Sequence, residues 1–567
     1  MSTSTNRAGA PELPGPAGTA PQAGSAAGAA RADRQPEADR QPPADRRWAV
    51  RPAWLWPALL TGAIAAEAMT APQLWRDEFA TWSAATRSLA DLWRMAGTID
   101  LVAFPYYVFM HAWIEAFGDS VWALRLPSVI AMAATAGVVT LLGRRLYGVR
   151  SGLLGGLLFA VVPSVSRYGQ EARAYAFAML FATLATLLLV LAVQDSRRWH
   201  RIAYSVVVLL LGWAHLIAVL VVTGHAVAVA LAGRRSDDGG RPRPPQRDRR
   251  PGGDAARWWP AAVTAAGICL APLALLGLRQ RDTQLGWLTA AGWRALETLP
   301  EQLFGSGMVG GAVVALAAIG TRPGRAGPAR ATPGRAAPGR AGPERAGPER
   351  AGPPGRGWTT ALWVSALAPV AVLYLVDQLI APVFVGRYLL FVVPLLCVLA
   401  GTALASRGLP LALVVVLVIG LTGLPQQQAA RRSHEAPGTA LYDYRQVAAF
   451  LRDHQRPGDG IVYAPRGGWH LSDVAMRYYL GDAAPRDVLV DRDAVRRGSL
   501  WATECPDPAA CLAGTGRVWV LSGDDLITGA RARVLDGTSP ATRAALGRYA
   551  KGGEWRLSKF TLALYAR

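Results

Sequence analysis

Apolar runs of roughly 17–23 residues recur along this chain, and each has the length that crosses the hydrocarbon core of a bilayer. Short polar segments, many of them rich in arginine, separate the runs. A chain inside a bilayer has to satisfy its own backbone hydrogen bonds, so runs of this kind fold as helices. The sequence therefore predicts a polytopic α-helical membrane protein.

Arginine clusters at 144–150, 197–201, 234–257 and 322–356 indicate the orientation of these helices. Basic loops face the cytosol, which places the N-terminus inside and the C-terminus outside. An arrangement of eleven spans satisfies every cluster, although 202–232 also fits one kinked helix. The predicted spans are 54–72, 121–143, 153–167, 174–193, 202–214, 216–232, 259–278, 308–320, 358–376, 383–400 and 408–424.

The remaining segments divide by composition. The tail 1–47 and the linkers 233–257 and 321–357 are rich in Pro, Gly, Ala and Arg, so we predict a disordered cytosolic tail and two cytosolic low-complexity linkers. The transmembrane domain is predicted over 48–424, with 73–120 as a first outer loop that contains interfacial helices such as 105–118. Residues 425–567 alternate helix-like and β-branched stretches, which predicts a small extracytoplasmic α/β domain.

The formal net charge of +21 does not indicate a nucleic-acid partner, because most of the excess lies in loops between apolar runs. The expected location is the plasma membrane. Cys505 and Cys511 lie in the predicted outer domain, where a disulfide between them is permitted.

The predicted outer face gathers carboxylates beside guanidinium groups. An acidic pair, Asp77 and Glu78, follows the first apolar run, and ionised groups at that depth are costly unless they have a task or a partner. Carboxylates can accept a proton from a hydroxyl, while arginines hold a phosphate through paired N–H donors. The full set at span ends and adjoining loops is Asp77, Glu78, Asp100, Arg125, Arg167, Gln170, Glu171, Arg173, Tyr175, His215, Arg281, Arg387 and Tyr388.

Five short motifs in order resemble glycosyltransferase family 39, the GT-C enzymes related to protein O-mannosyltransferases and lipid A aminoarabinose transferases. They are WRDE (75–78), Asp100 followed by Tyr106 and Tyr107, FGDSVWALRLPS (117–128), YGQEARAY (168–175) and GRYLL (386–390). The resemblance covers roughly residues 54–400. It implies a GT-C fold and sugar transfer from a polyprenyl-phosphate carrier at the extracytoplasmic face.

The resemblance also implies roles for the matching residues. Asp77 is the expected general base, with Glu78 and Asp100 beside it as further catalytic candidates. The expected ligands of the donor phosphate are Arg125, Arg167, Arg173, Tyr175, Arg387 and Tyr388. Further site candidates are Tyr107, Gln170, Glu171 and His215. Asp77 and Glu78 are also candidates for holding Mg²⁺ or Mn²⁺, since carboxylate oxygens suit these cations.

The expected function is transfer of a sugar, with mannose as the first choice and arabinose or another pentose as the second. The expected partners are the lipid-linked donor, membrane lipids, and a glycan, lipid or protein acceptor of the envelope. The segment between Asp100 and Tyr106 lacks the His that the resemblance leads us to expect, which keeps a catalytically silent assembly scaffold open. A lipid-carrier flippase or transporter is the third hypothesis.

Overall fold

The computed structural model describes residues 52–237, 255–321, 356–435, 442–526 and 528–567. The predicted tail 1–47 and most of the predicted linkers 233–257 and 321–357 lie outside the described residues. The part of the chain that is described is mostly helical, with one β-sheet near the C-terminus.

The helices up to residue 435 are α1 (Leu55–Ala66), α2 (Arg76–Ala85), α3 (Leu89–Ala96), α4 (Phe104–Phe117), α5 (Val121–Tyr147), α6 (Val149–Ala160), α7 (Pro163–Gly169), α8 (Tyr175–Asp195), α9 (Arg198–Ala214), α10 (Val222–Asp237), α11 (Ala255–Arg279), α12 (Arg281–Leu285), α13 (Arg294–Glu297), α14 (Leu299–Phe304), α15 (Gly307–Gly320), α16 (Arg356–Leu379), α17 (Val393–Ala405) and α18 (Leu409–Ala430). Three 3₁₀ turns precede α4, α10 and α17, at Leu101–Ala103, Leu216–Val221 and Gly386–Val392.

Seven helical segments of the described chain are long and apolar enough to cross a membrane, or eight if the bent pair α6–α7 is one span. Every predicted span contains helical residues, but the count of eleven spans is not confirmed. The predicted spans 54–72 and 308–320 contain helices of only 12 and 14 residues. Helix α1 ends early because the backbone becomes extended at Glu67. The protein is thus a multi-pass membrane protein.

Small residues let the central helices of the bundle approach closely. A Cβ atom on Gly152 of α6 would lie 2.2 Å from the carbonyl oxygen of Thr140 on α5. A Cβ atom on Gly401 of α17 would lie 2.4 Å from the carbonyl oxygen of Ser151. Packing through small residues drives helix association in lipid, where apolar burial contributes little.

A directional hydrogen-bond chain joins four helices within this bundle. The indole N–H of Trp259 donates to the hydroxyl of Tyr204 at 2.8 Å, and that hydroxyl lies 3.0 Å from Nδ1 of His225. On the other side of the ring, Nε2 of His225 lies 3.0 Å from the hydroxyl of Thr186, which itself donates to the carbonyl of Ala182. His225 is buried, and these partners account for both of its ring nitrogens.

Replacing His225 with Leu is expected to destabilise the protein by about 1–3 kcal/mol, because the buried hydroxyl of Tyr204 loses its acceptor. The measurement is the thermal unfolding midpoint in detergent. Thr422→Val is the matched control, since its hydroxyl bonds only the carbonyl of Ile419 in its own helix. Equal midpoints for the two variants would contradict the prediction.

Residues 442–567 form an α/β region. The strands are β1 (Gly460–Ala464), β2 (Arg486–Asp487), β3 (Arg517–Gly523), β4 (Ala550–Leu557) and β5 (Phe560–Ala566), and the helices are α19 (Tyr444–His454), α20 (Ser472–Leu480), α21 (Ala494–Arg497), α22 (Pro508–Cys511) and α23 (Pro540–Leu546). The strand order in the sheet is β2-β1-β3-β5-β4, in which β1 is parallel to β2 and β3, and β5 is antiparallel to β3 and β4. Cys505 and Cys511 form a disulfide.

This region shares a hydrophobic core with the segment predicted as the first outer loop. Phe79 of α2 and Tyr107 of α4 belong to the same buried cluster as Tyr444 and Trp519. The side chain of Gln73 also bridges the two parts, because it bonds the backbone of Tyr442 and of Arg445. The predicted α/β domain is therefore packed onto α2 and α4 of the 73–120 segment.

Candidate active site

The candidate site lies where helices begin or end. Asp77 stands in the first turn of α2, where the partial positive charge of the helix N-terminus favours a carboxylate. Arg173 lies in the turn between α7 and α8, His215 between α9 and the next 3₁₀ turn, and Arg387 in the 3₁₀ turn before α17. Irregular backbone at these places brings polar side chains together at one end of the bundle.

Glu78 and Arg125 form a buried bidentate ion pair with both side chains fully inaccessible. The guanidinium donates to the two carboxylate oxygens at 2.8 and 2.6 Å. Its remaining N–H groups donate to the carbonyls of Met69, Pro72 and Gln73. All five donors of Arg125 are thereby used, and none is left for a phosphate.

The carboxylate of Glu78 is equally occupied, because it also accepts the backbone N–H of Ala172 at 3.0 Å and of Trp75 at 3.4 Å. Burial favours the neutral form, but the charge and hydrogen bonds of Arg125 outweigh burial and hold the pKa of Glu78 well below its usual range. Glu78 and Arg125 therefore hold the 69–73 segment in place. This geometry differs from the prediction, in which Glu78 was a catalytic candidate and Arg125 a ligand of the donor phosphate.

The carboxylate of Asp77, in contrast, accepts no hydrogen bond within the described residues. Its carboxylate lies 3.9 Å from the Arg387 guanidinium, beyond hydrogen-bond distance, and the two side chains are 14% and 25% exposed. The Nε of Arg387 has no hydrogen-bond partner among the described residues. An acidic and a basic group thus lie side by side, and each keeps hydrogen-bonding capacity that a ligand can use.

Aromatic rings lie beside this pair of charges. The ring of His215 lies 5.9 Å from the ring of Tyr175 and 5.3 Å from that of Tyr388. Arg387 stacks over Tyr388 at 5.8 Å. The predicted site residues Asp77, Tyr175, His215, Arg387 and Tyr388 are therefore brought together.

A second hydrogen-bond chain positions Arg173. Tyr107 donates its hydroxyl to one carboxylate oxygen of Asp100 at 2.7 Å, and Gln284 of α12 donates to the other at 2.8 Å. Arg173 in turn donates to the hydroxyl of Tyr107 at 3.1 Å. Asp100 has both oxygens engaged, so the geometry favours a positioning role over the predicted catalytic one.

The other predicted residues hold the backbone around the site. Arg167 pairs with Glu171 and also donates to the carbonyl of His434 at 2.6 Å. The amide of Gln170 donates to the carbonyls of Ala65 and Glu67 at the end of α1. Arg281, on α12, contacts Asp282 and the carbonyl of Pro382.

Two site residues escaped the sequence analysis. His434 and Glu435 follow α18 and are buried, with side chains 0% and 4% exposed. Glu435 lies 4.0 Å from the Arg76 guanidinium, and burial, opposed by Arg76 and reinforced by the nearby Asp77, raises the pKa of Glu435. They lie in the polar segment 425–435 that follows the last predicted span, and no motif or spacing in the sequence singles them out.

The acidic pair does not suit a divalent cation. Both oxygens of Glu78 accept hydrogen bonds from Arg125, and Asp77 faces Arg387. Within the described ranges, no three His, Cys, Asp or Glu side chains form a group that could hold a metal ion.

Known proteins share this architecture. Residues 104–236 match the sequence profile of the family described as dolichyl-phosphate-mannose-protein mannosyltransferase. The crystal structure of ArnT from Cupriavidus metallidurans in the apo state matches with a TM-score of 0.54 and 12% identity, over 92% of this chain and 98% of that chain. The same protein bound to undecaprenyl phosphate matches with a TM-score of 0.53 and 11% identity, over 91% and 98%.

No curated protein sequence matches this chain significantly. At such low identities the structural similarity establishes the fold. Together with the family match, it confirms the resemblance to GT-C glycosyltransferases that the motifs predicted.

Proposed function

We propose that this protein transfers a sugar from a polyprenyl-phosphate carrier to a hydroxyl of an envelope acceptor. The observation that carries the proposal is the pair of Asp77 and Arg387, a carboxylate and a guanidinium that lie 3.9 Å apart without a hydrogen bond between them. A sugar phosphate and an acceptor hydroxyl need this pair of charges, one to accept a proton and one to hold an anion.

In the proposed reaction, Asp77 accepts the proton of the acceptor hydroxyl. The hydroxyl oxygen bonds to the anomeric carbon while the bond from that carbon to the phosphate oxygen breaks. The electron pair leaves with the lipid phosphate, whose charge Arg387 and Arg173 stabilise through N–H donors. Attack opposite to the leaving group inverts the anomeric centre.

The comparisons support a lipid-phosphate donor, because one similar structure is that of ArnT bound to undecaprenyl phosphate. The family described as a mannosyltransferase supports mannose as the first sugar to test, with arabinose or another pentose second. The Cys505–Cys511 disulfide supports an extracytoplasmic C-terminal region, since disulfides persist in oxidising compartments.

The test is sugar transfer in proteoliposomes, with a panel of radiolabelled polyprenyl-phosphate sugars and an envelope extract as acceptor. Transfer of label from one carrier, and none with empty liposomes, is the expected result and identifies the donor. No turnover of any carrier by folded protein would favour the scaffold. Movement of intact carrier between leaflets without release of its sugar would favour the flippase.

Glu435 is proposed to bind hydroxyl groups on the acceptor side of Asp77. Among the described residues its carboxylate has no hydrogen-bond donor, and its one ion-pair contact is with Arg76 at 4.0 Å. Glu435→Gln is expected to raise the acceptor concentration for half-maximal transfer by about tenfold, the loss of one charge-assisted hydrogen bond. The measurement is the transfer rate against the concentration of extract.

The exposed Glu301, replaced with Gln, is the matched control for this change. Donor binding is expected to stay at the wild-type level in both variants. An unchanged half-maximal concentration in Glu435→Gln, or a weakened donor affinity, would contradict the acceptor-side role.

A further inference from the structure

A groove with a volume of about 640 Å³ lies on the C-terminal α/β region, apart from the candidate active site. Its size falls within the range of small-ligand sites. Strands β4 and β5 form the floor with Lys551, Glu554 and Tyr565, and the segment 531–534 forms the wall with Arg531 and Arg533.

The groove opens on the face of the sheet that is turned away from helices α2 and α4. Phe560, Leu562 and Leu564 of β5 point to the face packed on the outer helices. Side chains alternate along a strand, so Tyr565 points to the opposite face. Lys551 pairs directly with Tyr565 across the strands and shares that face. A ligand in the groove therefore approaches the sheet from the side opposite to α2 and α4.

The groove carries unbalanced positive charge. Lys551 pairs with Glu554. Within the described residues, the guanidinium groups of Arg531 and Arg533 form no ion pair or hydrogen bond, and both side chains are exposed. Two unpaired arginines on one wall are suited to hold carboxylate or phosphate groups through bidentate hydrogen bonds.

The cellular compartment of the groove decides between nucleic acid and other anionic partners. The Cys505–Cys511 disulfide lies in the same region and indicates an oxidising compartment, where nucleic acid is not a normal ligand. We infer that this groove binds an anionic glycan, whose acidic groups contact Arg531 and Arg533. The C-terminal region would then hold an envelope polymer independently of the transfer reaction.

The test measures binding of polygalacturonate to the full-length protein in nanodiscs of zwitterionic lipid, beside neutral dextran. Polygalacturonate is expected to bind, more weakly as salt is raised, and dextran is not. The double variant Arg531→Ser/Arg533→Ser is expected to bind at least about tenfold more weakly. Arg492→Ser/Arg496→Ser removes the same charge from exposed arginines paired with Asp491 and Asp493, and serves as control.

Wild-type affinity in the control double variant, with a tenfold loss in the groove variant, supports the inference. Equal losses in both variants would show general charge attraction and overturn it, as would absence of polygalacturonate binding. Tighter binding to anionic lipid vesicles than to polygalacturonate would also overturn it. Sugar transfer is expected to be unchanged in the groove variant. Failure of polygalacturonate binding therefore leaves the proposed transfer function untouched, and failure of sugar transfer leaves the groove untouched.

Discussion

Replacing Asp77 with Asn is expected to lower sugar transfer by roughly 10²–10⁴-fold while the protein stays folded. The amide keeps the size of the side chain but cannot accept the proton of the attacking hydroxyl. Within the described residues, the carboxylate of Asp77 makes one loose ionic contact, to Arg387 at 3.9 Å, so its loss removes little folding energy. The measurement is initial rate in proteoliposomes with the donor identified by the panel.

The matched control is Asp482→Asn, an exposed aspartate of the C-terminal region. It is expected to transfer at the wild-type rate. Thermal unfolding midpoints of both variants establish that a lost rate is not lost structure. A rate within about threefold of wild type in Asp77→Asn would remove Asp77 from the reaction, because a general base contributes far more.

The class of fold could be predicted from sequence because apolar runs report membrane helices directly. The number of spans could not, because a run does not say where its helix stops. Helix α1 ends at Ala66, and Gln170, more than a hundred residues away in sequence, bonds the carbonyls of Ala65 and Glu67 there. Such an end is fixed by tertiary contacts.

The candidate site, too, could be predicted from sequence only in part. Motif order placed Asp77, Arg173 and Arg387 in one site, since all three stand at helix ends on one predicted face. Sequence did not separate Asp77 from its neighbour Glu78, although Asp77 is partly exposed beside Arg387 and Glu78 is fully buried. Adjacent residues of a helix point in different directions, and only the packing decides which of them meets Arg125.

Breaking the Glu78–Arg125 pair is expected to have the largest effect on stability. Replacing Arg125 with Met leaves the carboxylate of Glu78 buried without its partner, which costs about 3–5 kcal/mol. The carbonyls of Met69, Pro72 and Gln73 lose their donor as well. The measurement is the unfolding free energy in detergent. A loss below about 1 kcal/mol would mean that the pair does not hold the segment of these carbonyls in place.

Glu78 also predicts a dependence of stability on pH. Since Arg125 lowers the folded pKa of Glu78 below the ordinary value of 4.5, the pair contributes its full stability above pH 4.5 and loses it as the pH falls further. The double variant Glu78→Leu/Arg125→Met removes both charges, so it is expected to be more stable than Arg125→Met alone and to lose this acid sensitivity. If the double variant loses as much unfolding free energy as Glu78→Leu and Arg125→Met lose together, the two side chains are not directly coupled. Transfer activity retained in that variant would establish that the pair serves structure and takes no part in the chemistry.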